Sequence, residues 1–381
     1  MARANILIRG GTVVDPAREF MGPADVLIRG DKVVALAPGE EAQAETTFDA
    51  TGCLVTPGLI DHHAHVFYGG TAVGCDPDAT LLPMGVITVV DPGSAGVDNA
   101  ETFIRSVIRH SRMKIFCTLN VSSEGMTTRL HAEELDPKRY DRDRLGYFLH
   151  KYPDVVLGLK IRSGAELVKE HGMSALKRAL EIADDLGYPL TVHVTNPPCD
   201  MGNLAAMMRP RDVICHPFHG TGDTIIDANG KVKPKVRDAR RRGVIFDTAD
   251  ARRNHLFAVA RAALADGFPP DIISTDLVSN SAFVDMLFGL PVMMAKYLAF
   301  GMPLLEVVRA CTAAPAAALN MAGKIGTLAP GAAADVAIIR LTNKDRELRN
   351  LHGEQMVLPT QFVPQLTILD GQVVFRQVDF F

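Results

Sequence analysis

The chain has 381 residues, 47% hydrophobic and 22% charged, with a formal net charge of -4 at pH 7. That supplies a substantial core without disulfides or lipid, and the mildly acidic balance offers no basic face, so nucleic acid is excluded as a partner. A length prior of roughly two to three domains is met by one large domain with a smaller companion.

Six cysteines, at 53, 75, 117, 199, 215 and 311, stand far apart with no C-x-x-C pair, which argues against a disulfide framework or cysteine zinc knuckle and for a reducing, cytoplasmic home. No run reaches the about 18 uninterrupted apolar residues of a membrane span. The N-terminal MARANILIRGGTVVD alternates apolar and polar residues as a strand does, unlike a signal peptide. Arg240, Arg241 and Arg242 read as a solvated helix end.

From Ile6 to about Thr56 the runs ILIRGGTVVD, ADVLIRGDKVVALAP and TTFDATGCLVT predict short strands, with turns at Gly10-Gly11 and Gly30-Asp31. GAAADVAIIRL and LTILDGQVVFRQ repeat that texture at the C-terminus, the second around an Asp370-Gly371 turn. The two ends are expected to form one small β-sandwich domain, residues 1–56 plus 326–381.

Eight apolar runs occupy the middle: LVTPGLIDHHAH, GVITVVDPG, KIFCTLNVSS, VVLGLKIR, PLTVHVTN, VICHPFHG, GVIFDTAD and DIISTDLV. Runs of this length suit strands buried on both faces of a parallel sheet. GAELVKEHGMSALKRALEIADDLG carries Leu167, Leu176, Ala179, Leu180 and Ile182 on one helical face and stops at a glycine. Strand then helix, eight times over, predicts an α/β fold, a (β/α)8 barrel spanning residues 57–325. A doubly wound sheet would carry a glycine-rich phosphate loop after its first strand, where this chain has histidines.

His63-Ala64-His65 stands at the end of the first run, and residues two apart on a strand face the same way, so two imidazoles can reach one cation. Alone, an H-x-H is as readily a solvated strand end. Lys160 interrupts the apolar strand VVLGLKIR, where an unpaired ammonium is costly unless it snorkels to solvent. His193 and His216 lie near the ends of the fifth and sixth runs, and Asp276 near the end of the eighth, beside the first once a barrel closes. Each has a bland role alone, Asp276 as a helix cap; all six together place a site at the barrel mouth.

This ordered set resembles the amidohydrolase superfamily, which shows an H-x-H after strand one, a lysine on strand four, histidines on strands five and six and an aspartate on strand eight. ATGCLVTPGLIDHHAH and GTLAPGAAADVAII resemble the family's entry into the barrel and its return to the small β-domain. The resemblance implies that Lys160 is carboxylated by carbon dioxide and bridges two divalent ions, zinc by preference. One ion would take His63, His65, Asp276 and the bridge, the other His193, His216 and the bridge, with a hydroxide between them as nucleophile and Asp276 as catalytic base. Asp61 is expected to support a ligand, and His62 to point away from the pair.

Phe67 stands where dihydroorotases carry an arginine, whereas KIRSG and HPFHGTG resemble a dihydroorotase-related branch of deacetylases acting on N-acyl amino acids or acetylated hydroxy acids. There Arg162 would grip a substrate carboxylate, or else form an ordinary salt bridge, and His219 would meet substrate from a loop. Asp247 and His255 receive no role. A cyclic amidase and a non-catalytic barrel scaffold remain as alternatives. The partner is a small-molecule substrate; a homo-oligomer is compatible with the resemblance, although no apolar stripe marks an interface.

Overall fold

The computed structural model describes residues 4–37, 43–128, 133–282 and 288–380, so the first residues of the N-terminal run and Pro38 lie outside it. The N-terminal strands are β1 (Ala4–Arg9), β2 (Thr12–Asp15), β3 (Phe20–Pro23), β4 (Asp25–Arg29), β5 (Lys32–Ala37), β6 (Ala44–Asp49) and β7 (Cys53–Pro57). Next come β8 (Leu59–Asp61), β9 (Val86–Pro92), β10 (Lys114–Asn120), β11 (Val156–Arg162), β12 (Leu190–His193), β13 (Val213–Cys215) and β14 (Ile245–Asp247), and then β15 (Val336–Arg349), β16 (Gln355–Leu369) and β17 (Gln372–Arg376).

The two ends of the chain build two sheets, ordered β5-β4-β1-β6 and β17-β16-β15-β7-β2-β3. Ile6 and Ile8 of β1 face Ile28 and Val26 of β4. They share one buried cluster with Val13, Val55, Val336, Ile338, Leu366 and Ile368 of the other sheet. Alternation of apolar and polar residues is what lets each sheet give one face to that cluster.

Strands β8 to β14 form a parallel sheet in sequence order. Every residue of β9 is buried, as a strand covered on both faces requires. The first expected run divides at Gly58, where β7 pairs with β15 while β8 pairs with β9. A Cβ on Gly58 would lie 2.1 Å from Ile87 Cδ1, so any larger residue there would push that side chain aside.

The eighth run, DIISTDLV, forms no regular strand. It makes two isolated parallel bridges, Asp247 to Ile272 at the edge strand β14 and Ala64 to Leu277 just past the opposite edge strand β8. Asp276 has φ 51°, a left-handed backbone that ends extended pairing, and the Thr275 N–H donates to the Asp61 carboxylate at 3.1 Å instead of to a ladder.

The helix expected over residues 164–187 is interrupted at Lys169 and Gly172, with φ 44° and 46°. Its main part, Met173–Leu186, buries Ala175, Leu176, Ala179, Leu180, Ile182 and Ala183 and stops at Gly187 in the left-handed conformation. Among the described residues, no helix is long and apolar enough to cross a membrane.

Candidate active site

A cavity of about 1000 Å³ opens at the C-terminal ends of the parallel strands. His63, His65, Lys160, His193, His216 and Asp276 all line it. The pairing register explains the convergence: Asn120 stands beside Lys160, Arg162 beside His193, and His193 beside Cys215, the residue before His216.

His63 and His65 lie just past β8 and not on it, flanking the Ala64 bridge. Their Nε2 atoms approach Asp276 Oδ1 at 3.6 and 3.2 Å. The rings of His63 and His216 are 5.4 Å apart and those of His193 and His216 4.3 Å. Candidate ligand atoms of His63, His216 and Asp276 fall within 4.8 Å of one another, so these three could hold a metal ion. His216 and Asp276 both have left-handed backbones, φ 64° and 51°, the kind of local strain that gathers at functional sites.

Around this group the chain supplies fixed acceptors and donors. His65 Nδ1 lies 2.7 Å from Ser94 Oγ, and His216 Nδ1 lies 2.5 Å from the Ala249 carbonyl. Ser94 is held in turn, its N–H donating to Asp91 Oδ1 at 2.8 Å. Such contacts orient imidazole ligands. Asp61 takes the Thr275 hydroxyl at 2.6 Å and the His63 N–H at 3.3 Å, clipping the two halves of the site together. Burial pushes its carboxyl up to about 7. His62 turns away from the site, Nδ1 2.8 Å from Asp247 Oδ2.

Burial and the nearby Lys160 hold His63 well below the usual imidazole range, burial with His216 and Arg162 does the same to His193, and burial takes His216 down to about 4. Three imidazoles therefore present lone pairs at neutral pH. Lys160 sits among them, 2% exposed. The one hydrogen-bond partner of its side-chain amine among the described residues is Cys215 Sγ at 3.8 Å. Gly93 makes room for its stem, since a Cβ there would lie 2.6 Å from Lys160 Cβ.

Arg162 lines the cavity and pairs with Glu133 at 2.9 Å, so its guanidinium is fixed at the wall. His219 is fully buried, its imidazole pushed down to about 4, and it does not line the cavity. Phe67 stacks on Phe103 with ring centroids 4.6 Å apart in the core, where it offers substrate no polar contact.

Two features escaped sequence reasoning. Asn254 donates from Nδ2 to Asp276 Oδ2 at 3.2 Å, and its Oδ1 accepts from the Thr195 hydroxyl at 3.0 Å. Below it, fully buried Lys296 is ion-paired with Asp250, with His255 close by and its Nε2 3.1 Å from the Tyr297 hydroxyl. Burial opposes charge on Asp250, yet the Lys296 ammonium beside it holds its carboxyl below the usual range. The one signal was a lysine inside the apolar helix LPVMMAKYLA. Lys296→Met leaves that carboxylate unpaired, so urea denaturation is expected to register a loss of about 3–5 kcal/mol.

The amidohydrolase family pattern matches residues 54–374. A deacetylase of Agrobacterium fabrum is 32% identical over 354 residues, 92% of this chain and 86% of that protein. A deacetylase of Enterococcus faecalis is 28% identical over 372 residues, 97% and 98% of the two chains. Among solved structures, an adenine deaminase superposes with TM-score 0.90 at 27% identity, over 98% of this chain and 100% of that one. A dihydroorotase superposes with TM-score 0.87 at 29% identity, over 99% and 100%. With four-fifths of its length inside the family pattern and a wall of histidines, lysine and aspartate at its strand ends, the chain belongs to the amidohydrolase family of hydrolytic enzymes.

Proposed function

We propose that this protein is a two-metal deacylase that cleaves the acyl group from N-acyl amino acids or acetylated α-hydroxy acids. The observation that carries the reading is Lys160: a buried amine with no carboxylate partner among the described residues, set among imidazoles that keep their lone pairs. An ammonium there is costly. Carboxylation would turn it into an anion that suits two cations, and the buried His63 Nδ1, with no hydrogen-bond partner among the described residues, is a donor that fits such a site.

His63, His65 and Asp276 would hold one ion, His193 and His216 the other, with Lys160 between; zinc suits this nitrogen and oxygen donor set. When bound, such ions would supply Lewis acidity, lowering the pKa of a water and polarising the acyl carbonyl. Asp276 then takes the proton of the attacking water and passes it to the departing amine or alkoxide. Asn254 holds the other carboxylate oxygen and keeps Asp276 aimed. Arg162 has donors beyond the one facing Glu133 and binds the substrate carboxylate.

This reading takes residues 57–325 as a (β/α)8 barrel, closed by the segment that bridges both sheet edges, and residues 1–56 with 326–381 as a β-sandwich domain. The deacetylase relatives support the linear substrate, and Phe67, packed in the core, leaves no arginine at that position for a cyclic one. The likeness to a dihydroorotase keeps a ring-opening amidase as the second reading.

The test is a screen of metal-replete enzyme on acetylated α-hydroxy acids and N-acetyl α-amino acids beside dihydroorotate and hydantoins. The acyl compounds are expected to give the larger kcat/KM. Preferred ring opening would replace deacylation with the second reading, and metal-loaded protein inert on every compound would make the barrel a scaffold.

A further inference from the structure

Beyond Arg340, β15 leaves β7 and pairs with β16 alone, so residues 341–349 and 355–362 form a two-stranded arm. Such a ribbon is marginal in water by itself. Here Leu348, Met356, Leu358 and Phe362 are buried in the main core while Gln355 and Val357 face outward, and the helix Leu290–Ala299 packs against β16. The arm is thus fixed along its length, and its tip, residues 350–354, reaches the cavity mouth, where Leu351 and His352 line the wall.

The tip grips the segment that carries Arg252, Arg253 and Asn254. The Leu351 N–H donates to the Arg252 carbonyl at 3.1 Å, the His352 Nε2 lies 2.7 Å from the Arg253 carbonyl, and Asn350 Nδ2 donates to the His255 carbonyl at 3.1 Å. The helix Phe257–Ala265 has no side-chain cap from its own N-cap residue, Leu256. Glu354 supplies one from the arm, accepting the N–H groups of Phe257 at 2.5 Å and Ala258 at 3.0 Å. The gripped backbone is left-handed at Ala251 and Arg252, φ 46° and 60°, a conformation that needs external support.

We propose that the tip of this arm is the selectivity element of the site: Leu351 is the exposed apolar contact at the rim for the substrate's side group, and the grip on residues 252–258 holds that wall in place. The inference rests on the deacylase reading. An α-carbon in such a substrate bears three groups besides hydrogen; the acyl function goes to the buried ligands and the carboxylate to Arg162. The third is left for the rim, where Leu351 is 58% exposed and still faces the cavity. Substrates with a branched alkyl or aryl side group are therefore preferred.

Two measurements on the full-length, metal-replete enzyme test this. In Glu354→Ala, amide hydrogens of residues 252–258 are expected to exchange at least about tenfold faster, with most protection restored in Glu354→Gln, which keeps an acceptor oxygen. Unchanged exchange in Glu354→Ala overturns the grip. The second compares kcat/KM for two acetylated α-hydroxy acids that differ only in a methyl or a benzyl side group. Leu351→Ala is expected to lower the benzyl-to-methyl ratio about tenfold and Leu351→Met to keep it within about twofold. An unchanged ratio in Leu351→Ala overturns the contact. A wild type that hydrolyses neither these two esters nor the matching N-acetyl amino acids sinks the deacylase reading and the Leu351 contact with it, while the exchange result still decides the grip.

Discussion

Lys160→Ala is expected to lower kcat/KM by about a thousandfold or more, since on the proposed two-metal reading several kcal/mol of metal-derived barrier reduction would disappear with the shared ligand. The side chain is 2% exposed, and a Cβ and stem are all that pass Gly93, so alanine leaves a small space and no new clash. Short carboxylic acids in the assay should recover part of the rate, because an acetate or propionate can occupy that space and offer two oxygens where a carboxylated Lys160 would. Lys160→Arg should not be rescued, as a guanidinium neither takes up carbon dioxide nor makes room for an acid. Steady-state kinetics with and without added carboxylate check both expectations. Full activity in the unrescued alanine variant would remove the bridge from the account.

Asp276→Asn is expected to lower kcat by about 10²–10⁴ with a much smaller change in KM. The amide has the carboxylate's shape, so it still fits beside His63 and His65. It cannot accept a proton, however, and its NH2 must face one neighbour: Asn254 Nδ2, already a donor, or the histidine side. A KM-dominated defect would instead make Asp276 a substrate-positioning residue.

Much of this site was legible in the sequence because each candidate ligand interrupts or ends an apolar run, and parallel strands laid in order bring such interruptions to one rim. The run around Asp276 read as a strand although its backbone turns left-handed there, since apolar content does not report φ. His219 read as a loop residue facing substrate, but three residues past His216 the chain has already turned inward, and the ring is buried.

The arm was missed for a different reason. Its strands continue through Asn343-Lys344-Asp345-Arg346-Glu347, a polar stretch with a register shift where no alternation survives, so the expected strands stopped at Leu341 and began again at Leu366. Asn254 and the Lys296–Asp250 pair depend on partners 22 and 46 residues away, and no local period encodes such contacts. The sequence texture thus located the candidate ligands that line the cavity better than the residues that hold them in place.

The binuclear centre is the claim on which the chemistry depends, and metal analysis of the purified chain tests it most directly. Protein prepared with zinc and bicarbonate, freed of loose ions by gel filtration and measured by inductively coupled plasma mass spectrometry, should carry two ions per chain in the wild type. Lys160→Ala should carry fewer. One ion or none in the wild type, or two in Lys160→Ala without added carboxylate, would contradict the account.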